Sequence, residues 1–365
     1  MKHCRRSTRI GQRPPCKVSL QHRPMKTIPK AMVAALFVFA AVPVAAQKSL
    51  DLTVDGVGVS VGDSRRVTGL RLNFRDRYLE KLDGINITLW SPYDDPSGVV
   101  RGLALGLPAT GAERIDGIAA GIVGVGAGES IRGLAIGGIG MGVGEDLQGI
   151  AIGGIGFGAG RDMQGIGIGG IGGGIGGDLR GIGIAGIGFG VGGNAEGMLL
   201  AGIGAGVGGN MEGLSIAGIG VGAGGNVKGI TITGIGLGAG GDVTGVQLAG
   251  IGIGAGGTLK WLSIAGAGIG APRIEGLAVA SAVGAEHVRG VVIAPIYFKI
   301  SRGGHMRGVN LSAYNDVRGT QQGLAIAIFN YARTLDGLQI GLLNYAGNKS
   351  RGTRLLPIAN FARAK

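Results

Sequence analysis

From Gly117 to Trp261 the chain repeats itself every 16 residues without an insertion or a deletion. One unit reads Gly133-Leu-Ala-Ile-Gly-Gly-Ile-Gly-Met-Gly-Val-Gly-Glu-Asp-Leu-Gln148. Further copies open at Gly149, Gly165, Gly181, Gly197, Gly213, Gly229 and Gly245. A strict short period marks one small unit stacked on copies of itself, because so short a unit cannot bury a core alone.

Within a repeat the apolar positions are 2, 4, 7, 9, 11 and 15, represented by Leu134, Ile136, Ile139, Met141, Val143 and Leu147. Side chains alternate faces along a strand. The spacing therefore predicts one short strand over 134–136 and a second over 139–143 with the opposite phase, with about four or five of these aliphatics per coil facing inward. The step of three between Ile136 and Ile139 needs a corner. Gly138 occupies it, as do Gly154, Gly170, Gly186, Gly202, Gly218, Gly234 and Gly250 in other copies. Positive φ or close backbone approach explains glycine there. The repeat ends in turn chemistry, as in Gly144-Glu-Asp-Leu-Gln148 and Gly208-Gly-Asn-Met-Glu212. A helix is excluded by the glycine load, at about 1 kcal/mol per Gly relative to Ala.

These features predict an all-β, single-domain β-solenoid of stacked 16-residue coils. Looser copies flank the strict block, for example at Gly84-Ile-Asn-Ile87 and Gly308-Val-Asn-Leu311. The expected organisation is irregular coils and a cap over 47–116, strict repeats over 117–275, and irregular coils and a second cap over 276–365. The alternative is an outer-membrane antiparallel β-barrel, whose strands have a similar length. Three features weigh against it: the phase flip within each repeat, turns of one length throughout, and aromatic residues at only 4% of the chain.

Residues 1–46 read as a secretory signal peptide. An apolar run from Ala31 to Val44 follows Lys26 and Lys30, and Val44-Ala45-Ala46 supplies small residues for cleavage before Gln47. Met25 is the expected initiator, with 1–24 an upstream extension. The formal net charge of +13 is concentrated in this leader, which holds nine of the 35 Lys and Arg and none of the 22 Asp and Glu. The mature chain is then +4, too little basic charge for a nucleic-acid partner. Cys4 and Cys16 both lie in the leader, so the mature chain has no disulfide and no thiolate chemistry. Collagen is excluded because Gly does not recur at every third residue. Disorder is excluded because 45% of residues are hydrophobic, in register.

The sequence predicts no enzyme, and no cofactor is expected. Gly-x-Gly strings such as Gly138-Ile-Gly-Met-Gly142 lack the following helix that a phosphate-binding loop needs. Asp146, Asp162, Asp178 and Asp242 share one turn position with Asn194, Asn210 and Asn226. They are weak candidates for metal ligation, since Ca²⁺ wants six to eight oxygens and each turn offers one carboxylate. Asx residues bonding their own backbone is the plainer reading. Gly140, Gly142 and Gly144 and their equivalents predict a bare outer face. That face suits self-association or an envelope component, and membrane contact is left open. Trp90, Tyr93, Asp94 and Asp95 form a candidate ligand loop, whose alternative role is to cap the solenoid end. Such a loop would make the chain a carbohydrate-binding or carbohydrate-active solenoid. His287 and His305 lack ligand spacing to each other. An ice-binding face would need Thr ladders, and only Thr231 and Thr233 stand in for one.

Gly337-Leu-Gln-Ile-Gly-Leu-Leu-Asn-Tyr-Ala346, with Gly323-Leu-Ala-Ile-Ala-Ile-Phe-Asn-Tyr-Ala332 and Leu356-Pro-Ile-Ala-Asn-Phe361, resembles the GLQIGLLN-type surface-repeat proteins of diderm bacteria. The close match spans about 319–362, and the central block departs from it by placing Gly where that family has Asn. The resemblance implies export to the periplasm, outer membrane or cell surface; the family brings no established activity. Read from the residues themselves, Asn330, Asn344 and Asn360 suit an amide ladder at a turn. Together these features predict an exported structural or interaction-surface protein, with an outer-membrane barrel or pore as the alternative.

Overall fold

A computed structural model of the chain describes residues 49–92 and 97–363. The leader and its cleavage site lie outside the described residues, as do Tyr93, Asp94 and Asp95. The described chain is all-β. Its one helical turn is a 3-10 turn at Arg351–Thr353.

The strict block is a β-solenoid. Each coil contributes a longer strand and a short one, and each strand lies parallel on its equivalent one period later. Met163–Gly169 pairs with Leu179–Ala185, setting Ile166 beside Ile182 and Ile168 beside Ile184. Gly156–Ala159 pairs with Gly172–Ile175 in the same way. The antiparallel barrel is thereby corrected. Its strands would pair with their sequence neighbours through hairpins, whereas here the corner turns each strand away and the backbone finds its partner in the next copy.

Glycine serves three distinct purposes. At the first position of each repeat the chain bends with positive φ: Gly165 has φ 134° and Gly197 has φ 125°. A Cβ on Gly197 would lie 2.0 Å from the Gly181 carbonyl oxygen. The corner glycines Gly138, Gly154, Gly170, Gly186, Gly202, Gly218, Gly234 and Gly250 are not among those with positive φ. Their Cβ atoms would sit 1.9 to 2.1 Å from a carbonyl oxygen of the preceding coil, so close approach is their reason. The third group, at Gly142, Gly174, Gly190, Gly206, Gly222, Gly238 and Gly254, has nothing within 4 Å of an added Cβ. This column points outward and nothing inside the coil demands glycine there.

Fewer of the apolar positions face inward than expected. Met141, Val143 and Leu147 are buried, as are most of their equivalents, with Gly173, Ala239 and Ala255 partly buried. Leu134 is only partly buried, while Ile136 is 38% exposed and Ile139 is 50% exposed. The residues facing inward on the longer strand are the small ones, Ala135 and Gly137. A 16-residue coil encloses a narrow lumen. It holds about three large side chains, and the small positions let the two sheets close over them. Thr231 and Thr233 also face this interior, so they form no external ladder.

Packing in the lumen is adjusted between coils. Phe157 and Phe189 fill it two coils apart, with ring centroids 5.7 Å apart. Gly173 lies between them, and its Cβ would meet both rings at 2.7 Å. Gly167 and Gly183 make room where other coils carry Ala, since their Cβ atoms would meet Phe157 at 2.2 Å and Phe189 at 2.5 Å. Large and small residues therefore compensate across coils.

The ends depart from the period. Leu50–Val54 pairs antiparallel with Val57–Val61, which lies parallel on Arg66–Asn73. From Ala282 to Ala346 strand pairing continues through the coils without an intervening loop, and the chain bends with positive φ at Gly290, Gly303, Gly308 and Gly323. Coils still stack there, because Cβ atoms on Gly308, Gly323 and Gly337 would strike Gly290, Gly308 and Gly323. Leu355–Ala362 then turns back antiparallel on Gly337–Tyr345 and closes the stack. Trp261 takes the bend position of Gly245 and adopts φ 81°, 70% exposed, a conformation unusual for a bulky side chain.

The three classes of glycine predict different responses to one added methyl. Gly197→Ala loses about 3 kcal/mol or more of stability, because it meets both a positive φ and a backbone oxygen. Gly206→Ala changes stability by less than about 1 kcal/mol, toward greater stability. Urea unfolding of the two variants, followed by circular dichroism, checks the contrast.

Candidate functional site

Coil stacking converts each outward position into a column. Position 2 gives Ile150, Ile166, Ile182, Met198, Leu214 and Ile230. Position 4 gives Ile152, Ile168, Ile184, Leu200, Ile216 and Ile232, paired in register. The corner gives Ile155, Ile171, Ile187, Ile203, Ile219 and Ile235. These corner side chains remain 45 to 52% exposed. The face continues through Leu262 and Ile264 and onto the irregular coils through Leu277, Val291 and Leu311. Monomeric proteins rarely expose a contiguous apolar patch beyond a few hundred Å². This face is the dominant feature of the surface, and the expectation of more inward aliphatics concealed it. The signal that reveals it is the run of Ala and Gly at positions 3 and 5. Small residues opposite large ones on a strand mark the side that must close on a thin core.

The outward glycine column lies on the other sheet, on short strands such as Gly204–Val207 and Gly220–Ala223. It is one open column of the expected strip; a Cβ on Gly140 would lie 3.3 Å from the Gly156 oxygen, and one on Gly144 would lie 2.0 Å from the Gly128 oxygen.

The Asx column corrects the expected hydrogen bonding. Each side chain serves the next coil and not its own backbone. The Asn194 N–H donates to Asp178 Oδ1 at 2.7 Å, Asn210 N–H to Asn194 Oδ1 at 2.9 Å, and Asn226 N–H to Asn210 Oδ1 at 2.8 Å. The row runs from Asp146 through Asp162 and Asp178 to Asp242, whose Oδ1 accepts the Thr258 N–H at 2.7 Å. Every such oxygen therefore satisfies a donor that the turn would otherwise leave unpaired. Among the described residues no group of three or more His, Cys, Asp or Glu is arranged to hold a metal ion. A hydrogen bond from Arg161 holds the Asp146 carboxyl below the usual range, and the Thr258 backbone N–H does the same for Asp242.

Of the expected ligand loop, Trp90 is described. It stacks on Phe74 with centroids 6.5 Å apart and planes 8° apart. Tyr93, Asp94 and Asp95 lie outside the described residues. His287 and His305 have no sequence spacing that pairs them, yet coil stacking lays their rings 5.5 Å apart.

The C-terminal coils carry two further constellations. The amide ladder forms inside: Asn315 Nδ2 donates to Asn330 Oδ1 at 3.0 Å, and Asn330 Nδ2 to Asn344 Oδ1 at 2.8 Å. Asn360 Nδ2 donates to the Asn344 carbonyl at 3.1 Å. Outside, a groove of about 620 Å³ is lined by Arg302, Tyr314, Asp316, Arg318, Tyr331 and Arg333. Asp316 accepts from Arg318 Nε at 2.9 Å and from the Tyr297 hydroxyl at 3.2 Å. Burial, followed by the nearby Asp316 charge, raises the Tyr297 hydroxyl above its ordinary value. Tyr297, Tyr314 and Phe329 stack in sequence at 5.6 and 5.2 Å. Sequence reading missed this groove because the coil length varies here, and only the fold aligns these side chains.

At the other end, Arg71 is fully buried and bonds Asp76 at 2.6 Å and Asn86 at 3.2 Å. Asn86 in turn donates to Asp76 at 2.7 Å. Asp76 balances the buried charge through Nη1 alone, and Arg71 Nε and Nη2 have no hydrogen-bond partner among the described residues.

No family model, no curated protein and no solved structure matches the chain.

Two outcomes follow from the Asx column. Asn210→Ala orphans the Asn226 N–H and lowers stability by about 1–2 kcal/mol, read by urea unfolding. The depressed carboxyls of Asp146 and Asp242 contribute stability that is complete above the unfolded value near pH 4. That contribution is lost as pH falls through their lower folded values. A urea midpoint series from pH 7 to pH 3 shows a decline confined to the acid end, and Asp242→Asn makes it shallower.

Proposed function

We propose that the chain is an exported repeat protein without catalysis, acting in the envelope of a diderm bacterium as a rigid interaction surface. The observation that carries this reading is the continuous exposed aliphatic face. A column of half-exposed isoleucine at every coil is costly to leave in water at about 25 cal/mol per Å², so a partner that covers it gains much. The rest of the central surface supports the same reading. Its turns are short, so no long loop rises to wall a cleft, and one side-chain oxygen of each Asx residue is committed to the next coil's backbone. The leader-like segment and the resemblance of the last coils to surface-repeat proteins supply the compartment.

Fractionation of cells expressing the full chain, with mass measurement of the recovered protein, tests this reading. The expected result is a chain beginning at Gln47, outside the cytosol, and released from the envelope by alkaline carbonate. Recovery in the cytosol with the leader intact would overturn it.

A further inference from the structure

The exposed aliphatic face leaves its occupant to be identified. We propose that it docks a second copy of this chain, face to face, so that two solenoids share one apolar seam. The inference rests on the reading of the protein as an interaction surface and names its partner.

Area is the first argument. At about 4.8 Å between coils and about 3.3 Å per residue, the face from Ile118 to Ile264 is roughly 50 Å by 15 Å, or about 750 Å². A stable complex of ordinary size covers about 800 Å² on each partner. The regular face of one copy already reaches that scale, and the irregular coils extend it through Leu311.

Shape is the second. The face is a grid of like side chains, because Ile166 sits beside Ile182 and Ile168 beside Ile184 in strict register. Rows of branched side chains at one spacing leave furrows at the same spacing. A second copy carries the matching rows, and two such sheets interdigitate at about 10 Å.

Charge is the third, and it separates a second copy from a lipid surface. An anionic bilayer selects a basic border with aromatic anchors. Within the strict block the border residues are mixed in sign and some pair within the chain: Arg180 lies 3.6 Å from Glu196, and Lys228 lies 2.5 Å from Glu212. Within the strict block no charged residue occupies positions 2, 4 or 7. A neutral rim around an uncharged centre suits a like partner.

The test uses the full chain recovered after export, its N-terminus read by mass spectrometry. Light scattering after size exclusion at micromolar concentration gives its mass. The wild-type chain is expected at twice the monomer mass. Ile184→Lys combined with Ile216→Lys puts charges at the seam and weakens the dimer by about 100-fold or more, shifting the mass to the monomer. Both side chains face outward, so circular dichroism of the double variant matches the wild type. Gly206→Lys, on the open glycine column of the other sheet, leaves the dimer intact. A wild-type monomer overturns the proposal. If that monomer floats with vesicles of phosphatidylethanolamine and phosphatidylglycerol, the occupant is lipid. If it retains residues 1–46, the occupant is the leader. In both cases the interaction-surface reading stands while the second copy falls. A dimer broken by Gly206→Lys and not by the isoleucine variants also overturns the proposal, by moving the seam to the glycine face.

Discussion

Every feature of this chain depends on the parallel backbone ladder that joins each coil to the next. The Gly160 N–H donates to the Val143 carbonyl at 2.9 Å, and Gly176 N–H to Ala159 at 2.9 Å one coil later. Strands in such a ladder lie about 4.8 Å apart. No side chain fits between them where two backbones turn the same corner. Glycine at the bends and corners is the direct result, and so is the absence of insertions. A residue added within one strand would throw the rest of that strand out of register with its neighbours and turn its side chains to the other face.

The same ladder makes each position a column, so one residue type sets the character of an entire face. Inside, small and large residues trade places between coils, as Gly173 does with Phe157 and Phe189 on either side. At the turn, the Asx side chain is the acceptor that lets the backbone leave the ladder and rejoin it. Outside, one column is bare glycine and three are aliphatic. The ends use a different solution. Their coil lengths vary, and the lumen accepts polar groups that bond one another in part, with Arg71 Nε and Nη2 and Asn315 Oδ1 buried without a partner among the described residues. Examples are Arg71 with Asp76 and Asn86, and the Asn315, Asn330 and Asn344 amides. A buried amide tolerates stacking because each one supplies both donor and acceptor. The polar lumen therefore follows from the same register that builds the apolar one.

The period, the solenoid and an amide ladder through Asn330 and Asn344 are legible in the sequence, because each depends only on spacing and on what a residue type can bond; that the ladder lies on buried strand positions and not at a turn is not legible. Nor is the phase of the longer strand. Alternation tells which residues share a face, and both faces of Leu134-Ala-Ile136 are apolar. Choosing the larger side chains for the interior is the usual economy of a core, and it fails when the lumen is narrower than two such layers. The Asx partner was also hidden. A side chain that reaches its own backbone in an isolated turn reaches the next coil's N–H when turns are stacked. The stacked His287 and His305, and the arginine–tyrosine groove, come from coils of unequal length, where counting residues does not align them. Trp90 is exposed, and its partner is Phe74 in the stack.

The most direct test of this account is the register itself. After export the chain carries no native cysteine if the leader is removed, since Cys4 and Cys16 both lie within it. Gly206 and Gly222 are in-register partners on the open column. Their Cα separation of about 4.8 Å falls within the range a disulfide spans. The paired variant Gly206→Cys with Gly222→Cys should close an intramolecular disulfide under mild oxidation. Gly206→Cys with Gly220→Cys, two residues out of register at roughly 8 Å, should not. Equal closure of both pairs, or closure of the second alone, would contradict a solenoid in 16-residue register.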